Sequence, residues 1–396
     1  MSLAIEQAEY EQRTAALGAA LAERGLAGAV LFDPAYVLYY VGFAFVPTER
    51  PMAFVLTSDG EGGMLVPRLE REHAQANALV REVADYPEYP SETHPMESLR
   101  KLLGTMKLDG TRLGSDHDGY PWILGYRGPS LTELTGTAPE KITALVEDKL
   151  AVKSPAEIAL IRESAKWGNL AHTLLQRYTR PGLTEVEVSQ RATNEATLAM
   201  LDAIGPIYRA QNPFFEGASA GYRGQIGRNA AIPHALTANI TFQRGDVLVT
   251  GASAPVWGYL SELERTMVIG EPSPEQREMF DHMVALQDMA LEAIKPGVRC
   301  ADVDRAVRAY YEEHRLWDSW KHHVGHCIGL RYHEGPFLDI GDETEIKPGM
   351  VFTVEPGLYA AGLGGFRHSD TVAVTTEGIE LLTYYPRDLE SLTLPA

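Results

Sequence analysis

The chain has 396 residues, of which 45% are hydrophobic and 22% are charged, and this composition excludes a disordered or fibrous protein. Its 35 Lys and Arg face 54 Asp and Glu, a formal net charge of −19, so binding to a nucleic-acid backbone through clustered basic side chains is disfavoured. No apolar stretch is long enough to cross a bilayer, and only two cysteines are present. We therefore expect a cytoplasmic protein with a small-molecule substrate and with neither nucleic-acid nor membrane partners.

The first part of the chain predicts a compact α/β domain. Residues 6–25 carry Ala and Leu at helical spacing, and the apolar run 28–32 that follows Gly25 is typical of a buried strand. Apolar runs at 51–57 and 64–67 flank a Gly-rich turn and predict a hairpin. Helix and strand patterns alternate to about residue 143, so we assign this domain to residues 1–149.

The pattern changes near residue 150. Ser154, Pro155 and Glu157 form a helix start of the capping-box type, with Pro in the first turn. Further helices are predicted over 184–201, 273–294 and 301–313, and strand patterns fill most of the remaining sequence. Residues 150–396 therefore predict an α+β domain in which helices cover one face of a mostly antiparallel sheet.

Residues 244–270 predict two strands joined by a short turn. Glu262 and Glu264 lie two apart on the second strand, so both carboxylates should point to the same face. Such a pair either borders solvent, which is usual for strand carboxylates, or lines a charged site.

Other polar residues of the second domain favour the charged site. His234, His326, His333, Glu355 and the run 367–370 lie in separate strand or loop segments, several of them beside Gly. Strands of one sheet can bring such segments together, and we expect them to line one cavity. As single residues, His326 and His333 are more typical of buried structural histidines, and only the GHCIGLRYHE spacing favours a site.

A serine nucleophile is a weaker hypothesis. The segment 217–221, GASAG, fits the G-x-S-x-G pattern around Ser219, but the residues that follow cannot begin a good helix, which that nucleophile turn requires.

Five motifs occur in a consistent order: KSPAEIALIR, IPHA, the GD…GY…RT hairpin, GHCIGLRYHEGP and KPGMVFTVEPGLY. With them the chain resembles the pita-bread superfamily, the M24 peptidase family that includes aminopeptidase P, prolidase and creatinase. The resemblance implies a smaller N-terminal creatinase-like α/β domain, a C-terminal pita-bread α+β catalytic domain, and a homodimer.

The resemblance also bears on metal binding. The metallopeptidase members hold two divalent metals with Asp, Asp, His, Glu and Glu. Here the second, third and fourth positions fall on Glu262, His326 and Glu355. The first falls on Gly251, or on Thr250 if the register shifts by one, and the last falls on Ser369. Two ions need several carboxylates, so we expect no metal cofactor. One divalent ion (Mn, Zn, Co or Fe) on the three remaining ligands is the alternative.

At the hairpin the chain is most similar to creatinase, the metal-free branch, because Glu264 in the LERT segment stands where peptidases have Thr. The resemblance implies His234, Glu264 and Glu355 as catalytic residues. It further implies that Arg50, which would hold a substrate carboxylate, and Glu262, His326 and His333 contact the substrate.

The main prediction is therefore a metal-independent hydrolase that cleaves a C–N bond in a small charged amidino, guanidino or amide substrate. A metallohydrolase of the Xaa-Pro dipeptidase or aminopeptidase type, with a reduced metal site, is the first alternative. A catalytically inactive binding module on the same fold is the second.

Overall fold

The computed structural model describes residues 3–396 of the protein. The chain forms two compact units by its internal contacts: one contains Ala4–Leu150 and Gln211–Pro213, and the other contains Ala151–Ala210 and Phe214–Ala396. The sequence-based domain boundary between residues 149 and 150 stays a prediction.

The smaller unit alternates strands and helices, as its sequence pattern predicts. Its elements are α1 (Gln7–Glu23), β1 (Gly28–Leu31), α2 (Pro34–Val41), β2 (Ala53–Thr57), β3 (Gly62–Pro67), α3 (Arg71–Asn77), β4 (Glu82–Tyr86), α4 (Pro95–Thr105), β5 (Leu113–Ser115), α5 (Leu131–Thr135), β6 (Glu140–Lys141) and α6 (Thr143–Ala151).

The strands of the smaller unit form one mixed six-stranded sheet in the order β4-β3-β2-β1-β5-β6. The predicted hairpin is β2–β3, which pair antiparallel, whereas β1 pairs with β5 in parallel. Val30 and Val55 from the sheet and Leu99 from α4 are fully buried in the same apolar cluster. The short apolar strands are therefore covered by helix, as expected for an α/β sheet.

The larger unit contains the remaining elements. They are α7 (Pro155–Tyr178), α8 (Glu185–Ile204), β7 (Ser219–Gly221), β8 (Val247–Val249), β9 (Gly251–Ser253), β10 (Thr266–Ile269), α9 (Pro274–Ala293), α10 (Cys300–Glu313), β11 (Gly325–Cys327), β12 (Glu334–Leu338), β13 (Val351–Val354), β14 (Gly357–Ala360), β15 (Gly364–Arg367), β16 (Asp370–Val374), β17 (Ile379–Leu381) and β18 (Thr393–Leu394).

The four helices of the larger unit match the four predicted segments to within a few residues. Ser154 accepts from the backbone N–H of Glu157 while the Glu157 side chain accepts from Ser154 N–H, so the predicted capping box is confirmed. Ser273 and Gln276 form the same arrangement at the start of α9. None of the helices in the described part of the chain is both long and apolar enough to cross a membrane.

The strands of the larger unit are almost all antiparallel. Five form the sheet β12-β11-β13-β16-β17 and three form the sheet β18-β10-β8, while β14–β15 and β7–β9 are separate pairs. Only β10 and β18 pair in parallel among these described strands. The predicted mixture of helices and mostly antiparallel sheet is therefore observed.

The hairpin of residues 244–270 is less regular than the sequence predicts. The regular strand of its second arm, β10, begins at Thr266, so Glu262 and Glu264 lie in the extended segment before it. That segment is held by isolated bridges, Ala252 to Leu263 and Glu264 to Ser369. Leu263 pairs with Ala252 in the same register in which Thr266 pairs with Val249, while Glu264 bonds to Ser369 on the other side.

Candidate active site

Four extended segments of the larger unit bring the candidate residues together. His326 lies on β11, and Glu355 directly follows β13, which pairs with β11 through Cys327 and Phe352. Glu264 exchanges two backbone hydrogen bonds with Ser369, each 3.0 Å long. Pairing of the strands, rather than nearness in sequence, thus assembles the site.

Glu262, His326 and Glu355 form a cluster of three metal-binding side chains. One ligand atom from each lies within 4.8 Å of the other two. Ser369 donates its hydroxyl hydrogen to Oε1 of Glu262 over 2.8 Å, and Thr353 donates to Oε1 of Glu355 over 3.4 Å. The two carboxylates are therefore oriented by neighbouring hydroxyl groups, as metal-ligating carboxylates usually are.

The imidazole of His326 presents its Nε2 atom to this cluster. Nδ1 lies 3.0 Å from the carbonyl oxygen of Cys327, and because a carbonyl can only accept, Nδ1 carries the proton in the neutral ring. Nε2 lies 3.1 Å from Oε1 of Glu355, but it is buried and no group in the described part of the chain forms an aligned hydrogen bond with it. A buried ring nitrogen without such a bond requires an explanation, and a cation is one.

Glu264 is held by two arginines. Arg367 donates its Nε–H to Oε2 of Glu264, and both side chains are almost fully buried. Arg223 donates from Nη2 to Oε1 of Glu264 over 2.7 Å. Arg367 Nε also lies 3.7 Å from Oε2 of Glu355, so one guanidinium lies between the two carboxylates.

Arg367 is itself positioned by a chain of hydrogen bonds. Its Nη1 donates to the hydroxyl of Tyr359 over 2.8 Å, and that hydroxyl lies 2.8 Å from Nε2 of His322. His322 Nδ1 lies 2.8 Å from the carbonyl oxygen of His323, which fixes the proton on Nδ1 and makes Nε2 the acceptor for Tyr359. The guanidinium therefore has little freedom to leave Glu264.

Crowding of charge shifts the pKa values of the cluster. Burial and the carboxylates of Glu355 and Glu264 raise the pKa of Glu262 to about 8. Burial alone would lower the pKa of His326, but Glu355 and Glu262 raise it to about 9. Burial opposes ionisation of Glu355, yet His326 and Arg367 hold its pKa well below the usual range. A cation among these groups relieves the repulsion between the carboxylates.

A cavity of about 420 Å³ opens beside the cluster and is lined in part by Arg223, Glu262, Glu264, Tyr332 and His333. Its volume is in the range usual for small-ligand sites. Burial and the charge of His326 lower the pKa of His333 to about 4, so His333 presents a neutral imidazole near neutral pH. Its ring lies 4.1 Å, centroid to centroid, from the ring of His326.

The residues present fit one divalent ion better than two. Two carboxylates and one imidazole with an open position are a usual set for a catalytic ion, and the buried Nε2 of His326 can ligate it once the ion displaces the proton on that nitrogen. The two further family positions hold Gly251 and Ser369, which supply no carboxylate. The buried guanidinium of Arg367 adds a fixed positive charge beside Glu355, which further disfavours a second dication.

The structure places the predicted site residues in three groups. Glu262, Glu264, His326, His333 and Glu355 lie close together, and their catalytic and substrate-binding roles stay predictions. His234 lies exposed on a turn, near enough to His333 for its charge to lower the pKa of that residue, and its acid/base role stays a prediction.

Arg50 belongs to the smaller unit, where its Nε lies 2.7 Å from Glu88 and its Nη1 2.6 Å from Glu49. Two carboxylates already engage this guanidinium. Its predicted role in holding a substrate carboxylate stays untested.

The sequence interpretation did not identify the roles of two arginines, Arg367 and Arg223. Arg367 stands in a recognised polar run, but nothing in that run shows that its side chain neutralises Glu264. Arg223 follows the GASAG segment, and no motif points to it. Ser219 begins β7 and is followed by a turn, so the structure offers no nucleophile elbow at this serine.

The fold and the site define a two-domain hydrolase with pita-bread architecture. Residues 159–376 match the model of metallopeptidase family M24, and residues 13–127 match that of the creatinase/prolidase N-terminal domain. The chain therefore belongs to metallopeptidase family M24. The predicted superfamily, the two-domain fold and the assignment as a hydrolase of C–N bonds are confirmed.

Similar proteins cover nearly the whole chain. An Xaa-Pro dipeptidase of Pyrococcus furiosus is 28% identical over 336 residues, which are 85% of this chain and 88% of that protein. The crystal structure of dipeptidase PepE from Mycobacterium ulcerans has a TM-score of 0.83 and 26% identity, covering 99% of this chain and 100% of that one. An Xaa-Pro dipeptidase from Bacillus anthracis has a TM-score of 0.78 and 25% identity, with coverages of 98% and 100%.

The metal-free, creatinase-like interpretation is not supported and gives way to its first alternative. The similar proteins named above are dipeptidases. In addition, both carboxylate oxygens of Glu264 are occupied by Arg367 and Arg223, so Glu264 is not a free anion for a substrate cation. The expectation of no metal is likewise unsupported, whereas one ion on Glu262, His326 and Glu355 is consistent with the structure.

Proposed function

We propose that this protein is a metal-dependent dipeptidase that uses a single divalent ion to hydrolyse the peptide bond of short peptides, including those of the Xaa-Pro type. The observation that carries the proposal is the convergence of Glu262, Glu355 and the buried Nε2 of His326 within 4.8 Å. The dipeptidases that resemble the chain over most of its length support the substrate class.

The three ligands would hold the ion at the wall of the cavity. A bound divalent ion polarises the scissile carbonyl group and makes water more acidic. Mn, Zn, Co and Fe all accept this mixture of imidazole and carboxylate ligands, so the donor set alone does not choose among them.

The side chains of the protein carry the proton transfers and the positioning. Glu262 lines the cavity, where it can take a proton from the attacking water and return it to the amide nitrogen as the C–N bond breaks and the new C–O bond forms. The neutral His333 on the same wall can hydrogen-bond to the substrate. Arg367 keeps Glu355 ionised, so Glu355 does not compete for that proton, and it holds Glu264 in place.

The test uses purified full-length protein that has been stripped with a chelator and then reloaded with Mn, Zn, Co or Fe. We expect hydrolysis of Ala-Pro or another dipeptide only after reloading, and loss of activity in His326→Ala. Creatine and other guanidino compounds serve as the comparison substrates. Dipeptide turnover that is unaffected by chelation, or turnover of guanidino compounds alone, would overturn the proposal.

The cytoplasmic location and the homodimer stay predictions from the sequence.

A further inference from the structure

Arg223 lies in a turn with an uncommon backbone conformation. It follows β7 with a φ of 51°, and Gly224 follows with a φ of 75°, so two successive residues adopt the left-handed conformation. This conformation is uncommon for a residue with a side chain. A non-glycine residue persists there only where its surroundings hold it.

The surroundings of this turn do hold it. The buried carboxylate of Glu185 accepts from the backbone N–H of Gly224 over 2.8 Å and from that of Ala238 over 2.6 Å. A Cβ atom at position 224 would collide with the carbonyl oxygen of Leu236, so only Gly fits there. The carboxylate of Glu185 and the close carbonyl of Leu236 therefore hold the backbone of this turn in one conformation.

The guanidinium of Arg223 is anchored on one side. Nη2 donates to Oε1 of Glu264 over 2.7 Å and lies 3.3 Å from Oε1 of the fully buried Gln225. Within the described residues 3–396, Nε and Nη1 have no hydrogen-bond partner, and 51% of the side chain is exposed. Two anchoring contacts therefore leave donors available to a ligand.

The position of Arg223 among the residues that line the cavity indicates what kind of ligand it binds. Of the described residues that line the cavity, Arg223 is the single Lys or Arg, whereas Glu262 and Glu264 are acidic. A substrate carboxylate is repelled by those two acids unless it meets a cation, and a guanidinium matches a carboxylate with paired N–H donors. Phe215, Ala252 and Tyr332 add apolar surface to the same cavity for the adjoining side chain.

We propose that Arg223 binds the free α-carboxylate of the substrate and thereby selects dipeptides over longer or amidated peptides. Glu264 acts as a positioning residue that holds Arg223 over the cavity. This inference rests on the proposed dipeptidase function and adds the group by which a substrate is recognised.

The experiment compares Ala-Pro with Ala-Pro amide, which differ only in the terminal carboxylate. Turnover is measured with metal-loaded wild type, Arg223→Gln, Arg223→Lys and the control Arg228→Gln. Arg228 is an exposed arginine five residues further along that does not line the cavity. Circular dichroism melts show that each variant is folded.

We expect Arg223→Gln to lower kcat/KM for Ala-Pro by about 10- to 100-fold, mainly through KM, because a charge-assisted hydrogen-bonding pair is lost. Its activity on the amide should change less than about 3-fold. Arg223→Lys should recover part of the loss, and Arg228→Gln should match the wild type. An equal loss on both substrates, or none on Ala-Pro, would overturn the inference.

A binding measurement separates this inference from the proposed function. Calorimetric titration of Ala-Pro and its amide into wild type and Arg223→Gln does not require turnover. If the wild type cleaves neither compound but binds Ala-Pro more tightly than the amide, and Arg223→Gln abolishes that difference, Arg223 is the carboxylate site and the dipeptidase function fails. Equal binding of the two compounds to wild type contradicts the carboxylate site itself.

Discussion

Ser369 donates a hydrogen bond of 2.8 Å to Oε1 of Glu262, although family resemblance places a metal-ligating Glu at position 369. The Ser369 hydroxyl therefore orients the metal ligand Glu262, although Ser369 is not itself a ligand. A fully buried serine in contact with a ligand carboxylate affects the direction and basicity of that ligand.

Removing that hydroxyl should weaken metal binding without abolishing it. We expect Ser369→Ala to raise the Kd for Mn²⁺ by about 10-fold, the lower end of the usual effect of losing an outer hydrogen bond to a ligand. The matched control is Ser115→Ala, which removes another buried serine hydroxyl, bonded to the carbonyl oxygen of Val30 in the smaller unit. Unchanged affinity in Ser369→Ala would show that the hydroxyl does not orient Glu262.

Arg367 should contribute strongly to stability. Replacement by Met leaves the buried carboxylate of Glu264 without its closest partner, and breaking a buried ion pair from one side costs about 3–5 kcal/mol. Urea unfolding measures this loss. The double variant Arg367→Met/Glu264→Gln should recover part of it, because the unpaired charge is then gone.

An exposed ion pair provides the comparison for Arg367. Arg162 and Glu380 pair at 2.9 Å with nearly half of each side chain exposed, and Arg162→Met should cost no more than about 1 kcal/mol. Similar losses for Arg162→Met and Arg367→Met would contradict the importance assigned to burial.

His172 should make the fold sensitive to acid. It is fully buried, and burial together with the charge of Arg265 lowers its pKa to about 3. In the unfolded chain a histidine titrates near pH 6.5, so between about pH 6.5 and 3 the unfolded state binds more protons than the folded state. The free energy of unfolding therefore falls as the pH falls through this window.

The variant His172→Gln isolates this contribution. Its stability should fall less than that of the wild type between pH 8 and pH 4.5, by about 2.7 kcal/mol for one such group. The difference at pH 8, where the imidazole is neutral in both states, gives the cost of the lost contacts with Thr250. Parallel stability curves over the whole range would contradict a neutral, buried His172.

Gly325 should be intolerant of a side chain. A Cβ atom there would collide with the carbonyl oxygen of Thr353 on the neighbouring strand, which would displace His326 one residue further on. We expect Gly325→Ala to lower dipeptide hydrolysis at least about 10-fold, since small displacements of a catalytic group have large effects. Gly104→Ala, where a Cβ meets open space, is the control, and equal activity of the two variants would contradict this prediction.

Much of the fold follows from local sequence signals. The Ser154 capping box and the Gly-rich turn before residue 64 each act within a few residues, and each forms as predicted. The hairpin forms in the predicted place, but its second arm also bonds to Ser369, more than one hundred residues further along, and no local signal predicts that second partner.

The same difference between local and long-range signals applies to the site. The shared orientation of Glu262 and Glu264 follows from their spacing, and both line the cavity. What the spacing cannot reveal is the partner of each carboxylate: Arg367 and Arg223 reach Glu264 only because β15 and the turn after β7 meet there. Glu264 therefore resembled a substrate-binding anion in the sequence, whereas the structure shows an internal counter-ion.

Calorimetric titration of Mn²⁺ into the chelator-treated protein tests the central claim most directly. The predicted result is one ion per chain in the wild type and no binding in the folded variants His326→Ala and Glu355→Ala. Two ions per chain, no ion at all, or undiminished binding in His326→Ala would contradict a single-metal centre at Glu262, His326 and Glu355.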